Sequence, residues 1–277
     1  MDKVAIVTGS SSGIGFAASV LLARNGIYTY ASMRNITKAN TIKEIAKKEN
    51  LPLHVIQLDV TDDKSVKSAV NNVLEEKKRI DVLVNNAGYG LMGCIEDISM
   101  EEVKAQFETN LFGIIRTTQA VLPAMRKQKH GIIVNVSSIA GRIGFPGTSA
   151  YISTKFALEG LSESMRYELE PFGIKVVIVE PGVVRTNFMN AAILARKALD
   201  SKSPYAQLIQ KVGTGFKLLV EHGTPPEEVA KAILKAVTAE NPEPRYLVGN
   251  DAAIIMEARK SMSDAEFEKF MKKDIIQ

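Results

Sequence analysis

Several residue types are scarce in this 277-residue sequence, which has one cysteine, three histidines and no tryptophan. The lone thiol of Cys94 cannot form an internal disulfide, and a chain of this length can bury a sufficient core without one. The histidines stand far apart in the sequence, and none has the spacing of metal ligands. We therefore expect neither a disulfide framework nor a bound metal.

Net charge and long apolar runs are lacking too. The formal net charge is only +4, from 35 basic and 31 acidic residues, and the basic residues are spread along the chain. Nucleic-acid binding needs a basic face, so this composition argues against it. No apolar run approaches the roughly 18 residues that cross a bilayer. The start, Met1-Asp2-Lys3, is unlike a secretory signal, and we expect a cytoplasmic protein with no transmembrane segment.

The composition is that of a globular protein, with 45% hydrophobic and 24% charged residues. Apolar runs about as long as a buried strand alternate with segments in which the apolar residues are spaced as on one face of a helix. Because each pair of parallel strands needs a crossover, this alternation predicts an α/β fold with helices on both faces of a doubly wound parallel sheet. The predicted strands are Val4–Val7, Ile27–Ala31, Leu53–Leu58, Val82–Val84, Ile132–Val136, Val176–Val179 and Arg245–Val248. The clearest predicted helices are Phe16–Ala23, Asp62–Lys78, Asn110–Met125 and Tyr151–Leu169.

No linker divides the chain, so we expect a single domain over residues 1–277. Two regions depart from the alternation: an irregular helical insertion at 187–223, in which no strand is expected, and a charged helical extension at 250–277. Insertions that follow strand ends in such sheets commonly cover the ligand crevice. We interpret the insertion as a substrate lid.

A glycine-rich turn, Gly9-Ser10-Ser11-Ser12-Gly13-Ile14-Gly15, separates the first strand from the helix that follows. Glycines in such a turn allow a sharp bend, a close approach of the backbone to a pyrophosphate and close packing of the helix. The free N–H groups and positive dipole at the helix N-terminus favour phosphate. The turn alone is a weak signal, because its glycine spacing is three residues and then one rather than the common one and then two.

Other polar or glycine-containing pieces also follow predicted strands. The carboxyl ends of parallel strands border one crevice, so we expect these pieces to converge there. Tyr151 and Lys155 stand four apart on a predicted helix and share a face, although such a pair also occurs by chance. The remaining pieces are Asn85-Asn86-Ala87-Gly88, Asn110, Ser138, and Pro181-Gly182 with Thr186.

Taken together, these pieces resemble the classical short-chain dehydrogenase/reductase family over residues 1–187, and more weakly as far as about residue 249. The motifs that carry the resemblance are Thr8-Gly9-x-x-x-Gly13-Ile14-Gly15, Asn85-Asn86-Ala87-Gly88, Asn110, Ser138, Tyr151-x-x-x-Lys155 and Pro181-Gly182-x-x-x-Thr186. The resemblance implies a Rossmann-type sheet, a nicotinamide cofactor, and hydride transfer between that cofactor and a carbonyl or secondary alcohol. The insertion and the Gly88-Tyr89-Gly90 turn are similar to the hydroxysteroid and retinol dehydrogenase branch.

The resemblance gives four polar residues catalytic roles. Tyr151 would protonate the alkoxide that hydride delivery leaves. Lys155 would lower the Tyr151 pKa and hold the nicotinamide ribose. Ser138 would bind the substrate oxygen as charge develops on it, and Asn110 would hold a water molecule that links Lys155 to solvent.

The cofactor is predicted to be NADP(H). A carboxylate about 20 residues past the glycine turn binds the ribose of NAD, whereas an arginine accommodates the 2′-phosphate of NADP. Here the second strand ends at Arg34 with no acid, and Ser11 can add a hydroxyl. Asp59 would bond the adenine, and Thr186 with the Val183 backbone would hold the carboxamide. The full set of predicted cofactor contacts is Gly9, Ser11, Ser12, Gly13, Ile14, Gly15, Arg34, Asp59, Val60, Asn86, Ala87, Gly88, Tyr151, Lys155, Pro181, Gly182, Val183 and Thr186.

The substrate is predicted to be a bulky hydrophobic ketone or alcohol, because the insertion is rich in apolar residues. Its site would be lined by Tyr89, Met92, Phe145 and Phe188. A homodimer or homotetramer is expected, since the two longest predicted helices carry apolar residues on more than one face. Two alternatives stay open: a reductase of 3-oxoacyl thioesters, and a non-catalytic sensor that binds the dinucleotide without turning it over.

Overall fold

The computed structural model describes residues 3–188 and 192–276. Residues 189–191 of the predicted lid and Gln277 of the predicted extension lie outside this part. Seven strands form one parallel sheet in the order β3-β2-β1-β4-β6-β7-β9, and β5 pairs with β8 in a separate two-stranded sheet. The strands are β1 Val4–Val7, β2 Tyr28–Met33, β3 Leu53–Gln57, β4 Val82–Asn85, β5 Leu91–Met92, β6 Gly131–Val136, β7 Ile174–Pro181, β8 Ile193–Leu194 and β9 Arg245–Val248.

Helices cover both faces of the sheet. They are α1 Gly13–Arg24, α2 Asn40–Lys48, α3 Asp63–Lys77, α4 Met100–Phe107, α5 Gly113–Gln128, α6 Ser149–Leu169, α7 Ala206–Glu221, α8 Pro226–Thr238, α9 Asn250–Ser261 and α10 Asp264–Phe270. Successive strand residues point to opposite faces. Ala5 and Val7 therefore join the core under α1 and α8, whereas Val4 and Ile6 join the core under α3, α5 and α6. The predicted doubly wound α/β sheet is confirmed.

All seven predicted strands form, with ends that differ by up to two residues. The inner strands β1, β2, β4, β6 and β7 are buried on both faces, so they appear in the sequence as largely apolar runs. The edge strands β3 and β9 each have exposed residues. The prediction for α3 is nearly exact because Asp62, just before the helix, accepts hydrogen bonds from the Lys64 and Ser65 N–H groups. A side-chain cap of this kind fixes the first turn of a helix.

Two predictions about local structure were wrong. The insertion contains a strand, β8, whose Ile193 and Leu194 pair in parallel with Leu91 and Met92 of β5. A two-residue strand is too short to leave a periodic pattern. Asn110 does not open a helix, since α5 begins at Gly113 and Asn110 lies in the π-helical segment Glu108–Phe112 that joins α4 to α5.

The order of strands reverses between β1 and β4, because β2 and β3 extend the sheet on one side and β6, β7 and β9 on the other. In open parallel sheets a ligand crevice lies at the carboxyl ends of the strands at such a reversal. Within the described part of the chain, no helix is long and apolar enough to span a membrane. The same residues hold no cluster of three or more His, Cys, Asp or Glu side chains that could bind a metal ion.

Candidate active site

Hydrogen bonds between the loops after β1 and β4 build the floor of the crevice. The Thr8 hydroxyl accepts the N–H groups of Asn86 and Ala87, both at 3.0 Å. The Asn86 side-chain amide donates to the carbonyls of Thr8 and Gly9, at 2.9 and 3.2 Å. Thr8 is 1% exposed. These bonds hold the glycine turn in place. Asn86 contributes its backbone N–H and its side-chain amide, and Ala87 contributes its backbone N–H.

Close packing explains two of the glycines. Gly9 has a φ of +71°, and a Cβ there would lie 2.8 Å from the Ala87 Cα. A Cβ on Gly15 would lie 2.4 Å from the Asn86 Nδ2 and 2.5 Å from the Gly9 carbonyl oxygen. The residue before α1, Ser12, makes no side-chain cap bond. The first N–H groups of α1 thus lack a side-chain cap, as a phosphate-binding helix N-terminus requires.

The ends of β2 and β3 lie next to this turn. The Ser10 N–H donates to the Ser32 carbonyl at 2.9 Å, which ties the turn to the end of β2. Arg34 is exposed, and its side chain has no polar partner among the described residues. The Asp59 carboxylate accepts bonds from the backbone N–H and the hydroxyl of Thr61 through one oxygen, Oδ1. Arg34 is thus free to bind an anion beside the glycine turn.

The loop after β7 closes the crevice from the other side. The Thr186 methyl carbon lies 3.3 Å from the position of a Cβ on Gly13, so this loop faces the glycine turn. A cleft of about 580 Å³ opens there, between the first turns of α1, residues 185–187 and the start of α8. The Val183 N–H donates to Asp251 Oδ2 at 2.7 Å, and the role of the Val183 backbone and Thr186 in holding the carboxamide stays a prediction.

Three of the four predicted catalytic residues meet at the carboxyl end of β6. The Ser138 hydroxyl lies close enough to the Tyr151 hydroxyl to act on its pKa, and it contacts the Pro181 carbonyl at 3.3 Å. The Lys155 ammonium donates to the Val136 carbonyl at 2.8 Å and lies 5.8 Å from the centre of the Tyr151 ring. Ser138, Tyr151 and Lys155 therefore form one cluster.

Burial shifts the pKa values of two residues in this cluster, Tyr151 and Lys155. Burial raises the pKa of Tyr151 to about 12, and the hydrogen bond with Ser138 only partly opposes this shift. Burial lowers the pKa of Lys155 to about 8, although the charge of Glu159 acts to raise it. Burial of the phenol accounts for the direction of the Tyr151 shift, and the lowering of this pKa by Lys155 stays a prediction. At neutral pH Tyr151 holds its proton and can act as an acid.

Glu159 lies one helical turn beyond Lys155 and is 5% exposed. Its Oε2 contacts the Arg245 guanidinium at 3.1 Å, and Arg245 also pairs with Glu180, 3% exposed, at 3.2 Å. Burial raises the pKa of Glu159. The sequence analysis missed this group of charges, since Glu159 and Arg245 are 86 residues apart and only the fold brings them together.

Asn110 occupies the wall opposite these charges. It is 1% exposed, and its amide exchanges hydrogen bonds with the backbone of Tyr89, at 2.9 and 3.1 Å. A weaker contact reaches the Thr154 hydroxyl at 3.4 Å. π-Helical segments are frequent at functional sites, and here the segment turns Asn110 toward both the Tyr89 loop and α6.

The four predicted substrate residues differ in their surroundings, and one of them lies beside Tyr151. The Phe188 ring lies 5.8 Å from the Tyr151 ring, and the Phe145 ring lies 6.3 Å from that of Phe216 in α7. Met92 is buried, 6% exposed, in β5. Tyr89 is half-buried, and burial raises its pKa. Of the four predicted substrate residues, Phe188 is the one whose aromatic ring packs beside that of Tyr151 in the described structure.

Comparison with known proteins identifies the family. The family model of the short chain dehydrogenases matches residues 3–198. The chain belongs to the short-chain dehydrogenase family. An uncharacterized oxidoreductase, YusZ, of Bacillus subtilis is 39% identical over 99% of both chains.

Two further relatives have named activities. A 3-ketodihydrosphingosine reductase of Bacteroides thetaiotaomicron is 34% identical over 94% of this chain and 92% of its own. The human 17-beta-hydroxysteroid dehydrogenase type 1 is 35% identical, over 88% of this chain and 76% of its own length.

Solved structures of short-chain dehydrogenases share the fold. One from Streptomyces avermitilis superposes with a TM-score of 0.84 at 35% identity, over 98% of this chain and 97% of that one. An alcohol dehydrogenase from Thermococcus sibiricus, complexed with 5-hydroxy-NADP, has a TM-score of 0.74 at 26% identity over 90% and 96%. A Burkholderia phymatum protein in complex with NAD has a TM-score of 0.82 at 24% identity over 96% and 95%, a level that shows the fold alone.

Two residues, Thr8 and Asp251, stabilise the site of this short-chain dehydrogenase through hydrogen bonds, although the sequence analysis assigned them no role. Thr8 is the first residue of the glycine motif, but the sequence analysis assigned no role to its side chain. Asp251 lies in the C-terminal extension, 68 residues from its partner Val183, and no local pattern marks it.

Proposed function

We propose that this short-chain dehydrogenase is an NADP(H)-dependent oxidoreductase acting on a carbonyl or secondary alcohol of an apolar substrate. The observation that carries the proposal is the Ser138–Tyr151–Lys155 cluster at the carboxyl end of β6, in the crevice that the glycine turn also borders. A nicotinamide bound there would supply or accept the hydride. The remaining chemistry belongs to the side chains of the protein.

In the reductive direction the substrate carbonyl oxygen accepts hydrogen bonds from the hydroxyls of Ser138 and Tyr151. As hydride adds to the carbonyl carbon, negative charge develops on that oxygen and these bonds strengthen. The oxygen then takes the Tyr151 proton to give the alcohol. Lys155, whose ammonium is buried beside Tyr151, stabilises the resulting phenolate. Oxidation of an alcohol runs through the same groups in reverse.

The choice of NADP over NAD is supported by the end of β2. Arg34 is exposed there without a polar partner in the described residues, and the segment Ala31–Asn35 at this strand end contains no acidic residue to bind a ribose 2′-hydroxyl. A guanidinium forks onto a phosphate through two hydrogen bonds. The glycine cradle and the uncapped start of α1 fit the pyrophosphate, and the Thermococcus relative is itself complexed with an NADP derivative.

A lipophilic substrate is supported by residues 192–223, which we propose act as a lid. Ile209 is the one buried residue of α7, while Leu218 and Leu219 are 58% and 45% exposed. So few buried contacts favour local opening. Gly213 and Gly215 lie within the continuous helix α7. Two relatives with named activities act on sphingoid and steroid ketones, consistent with an apolar crevice.

The proposal is tested by mixing the purified protein with NADPH and a panel of ketones and following absorbance at 340 nm. The panel contains steroid, long-chain aliphatic and small polar ketones together with a 3-oxoacyl thioester. We expect turnover with the bulky apolar ketones and a clear preference for NADPH over NADH. Binding of NADPH without turnover of any panel member would favour the sensor, and a preference for the thioester would favour the acyl reductase.

Hydrogen exchange tests the lid separately. Residues 192–223 should exchange rapidly in the free protein and more slowly with NADPH and a ketone substrate bound. Slow exchange in the free protein would make the segment a fixed part of the core.

A further inference from the structure

The C-terminal extension reaches the candidate active site through the first turn of α9. Asp251 is the second residue of this helix, and its Oδ2 accepts the Val183 N–H at 2.7 Å. Val183 lies in the loop after β7, whose Thr186 faces the glycine turn. A residue outside the motifs that carry the resemblance thus fixes the backbone of the loop on which the nicotinamide end of a dinucleotide would lie.

Two glycines make room for this carboxylate. A Cβ on Gly182 would lie 2.3 Å from Asp251 Oδ2 and 2.4 Å from Oδ1. Gly249, immediately before α9, has a φ of +113°, and a Cβ there would lie 2.6 Å from Asp251 Oδ1. A positive φ of this size is a strained backbone conformation for any residue that has a Cβ. The backbone on both sides of the contact is therefore shaped to accept a carboxylate at this point.

The same helix also supports the other wall of the site. Ala252, Ile255 and Ala258 of α9 pack in one buried cluster with Ile139 and Ile143, which follow Ser138 directly in the chain. The Ser138 hydroxyl in turn contacts the carbonyl of Pro181, at 3.3 Å. Through Asp251 and through this apolar face, α9 holds both the loop after β7 and the turn that carries Ser138.

We propose that Asp251 is a positioning residue for hydride transfer, which orients the loop of residues 181–186 relative to Ser138. This inference rests on the proposed function, since it assumes that the loop holds the nicotinamide end of the cofactor. Asp251 touches neither substrate nor cofactor. It acts through the backbone of Gly182 and Val183, and misplacement of a bound group by about 1 Å is enough to lower a rate strongly.

Three substitutions test whether the contact with Val183 depends on the position of an acceptor oxygen or on its negative charge. Asp251→Ala removes the acceptor, Asp251→Asn keeps an acceptor of the same reach without the charge, and Asp251→Glu keeps the charge with a longer reach. We expect D251A and D251E to lower kcat/KM for NADPH by about tenfold to a hundredfold. D251N should stay within about threefold of the wild type, because the Val183 N–H needs an acceptor rather than a charge.

Val73→Ala is the matched control for general destabilisation. Val73 is 0% exposed on α3 and packs in the core on the opposite face from α1 and α8, so the variant lowers stability without touching the loop. It should lower the melting temperature and leave kcat/KM for NADPH unchanged. If D251A does not fold, the contrast between D251E and D251N carries the test.

The outcomes separate the inference from the proposed function. A wild-type protein that neither binds NADPH by fluorescence titration nor consumes it would overturn both. Wild-type turnover with unchanged kcat/KM in D251A and D251E would overturn the positioning role alone. So would equal losses in D251N and D251E, or a loss in V73A as large as that in D251A.

Discussion

Gly15 is the most closely packed glycine of the turn. We therefore predict that Gly15→Ala destabilises the protein and weakens cofactor binding. The new methyl would lie 2.4 Å from Asn86 Nδ2 and 2.5 Å from the Gly9 carbonyl oxygen, so one of them must move. Overpacking of this kind costs about 1–3 kcal/mol. Displacing the Asn86 amide also weakens its bonds to Thr8 and Gly9, at about 1 kcal/mol each. The gain in helix propensity recovers at most about 1 kcal/mol.

We therefore expect Gly15→Ala to lower the free energy of unfolding by about 2 kcal/mol or more, a fall of about 5 °C in melting temperature for a protein of this size. NADPH affinity should fall at least about tenfold, since the shifted groups form the phosphate cradle. Calorimetry and fluorescence titration measure the two effects. Gly213→Ala is the control, because nothing lies within 4 Å of a Cβ there and α7 gains propensity. A Gly15→Ala protein as stable as the control, with wild-type NADPH affinity, would refute the packing argument.

Three further predictions concern the cofactor, the buried lysine and the assembly. Arg34→Ala should reduce the preference for NADPH over NADH by at least about tenfold with little change in kcat for NADH; equal kinetics in the variant and the wild type would contradict this. The Lys155 pKa is lowered from 10.5 to about 8, so the unfolded chain binds more protons between these values and stability should rise with pH there, by about 2 kcal/mol from pH 8 to pH 10. Denaturant titrations should show no such difference in Lys155→Met, and an equal rise in both proteins would place its cause elsewhere. The exposed Phe112, Phe156 and Tyr167 on or beside α5 and α6 should be covered in a homo-oligomer, and a monomeric mass by light scattering at micromolar concentration would exclude it.

The strands and the site loops were predictable because their causes are local. The inner strands are buried on both faces and appear as apolar runs. The loops after β1, β4, β6 and β7 follow such runs, so the rule for parallel sheets places these loops together. Thr8, Asn86 and Thr186 do meet around the glycine turn, as this reasoning requires.

What escaped prediction depends on contacts between distant residues. The β5–β8 pair joins segments about 100 residues apart through only two residues each. The direction of the Tyr151 pKa shift follows from how deeply the fold buries the phenol. The pairing of Glu159 with Arg245 exists because the fold brings α6 close to β9. The Asp251 contact with Val183 is of the same kind. None of these leaves a periodicity or a motif in the sequence.

The central claim is that Tyr151 donates the proton during hydride transfer, and the rate of Tyr151→Phe tests it most directly. The variant keeps the ring and removes only the hydroxyl, so its melting temperature should stay close to that of the wild type. The account predicts that kcat for NADPH-dependent reduction of an apolar ketone falls by about 10² to 10⁴, while the dissociation constant for NADPH changes little. A variant that reduces the same ketone at nearly the wild-type rate would contradict the account, because the proton would then come from another group.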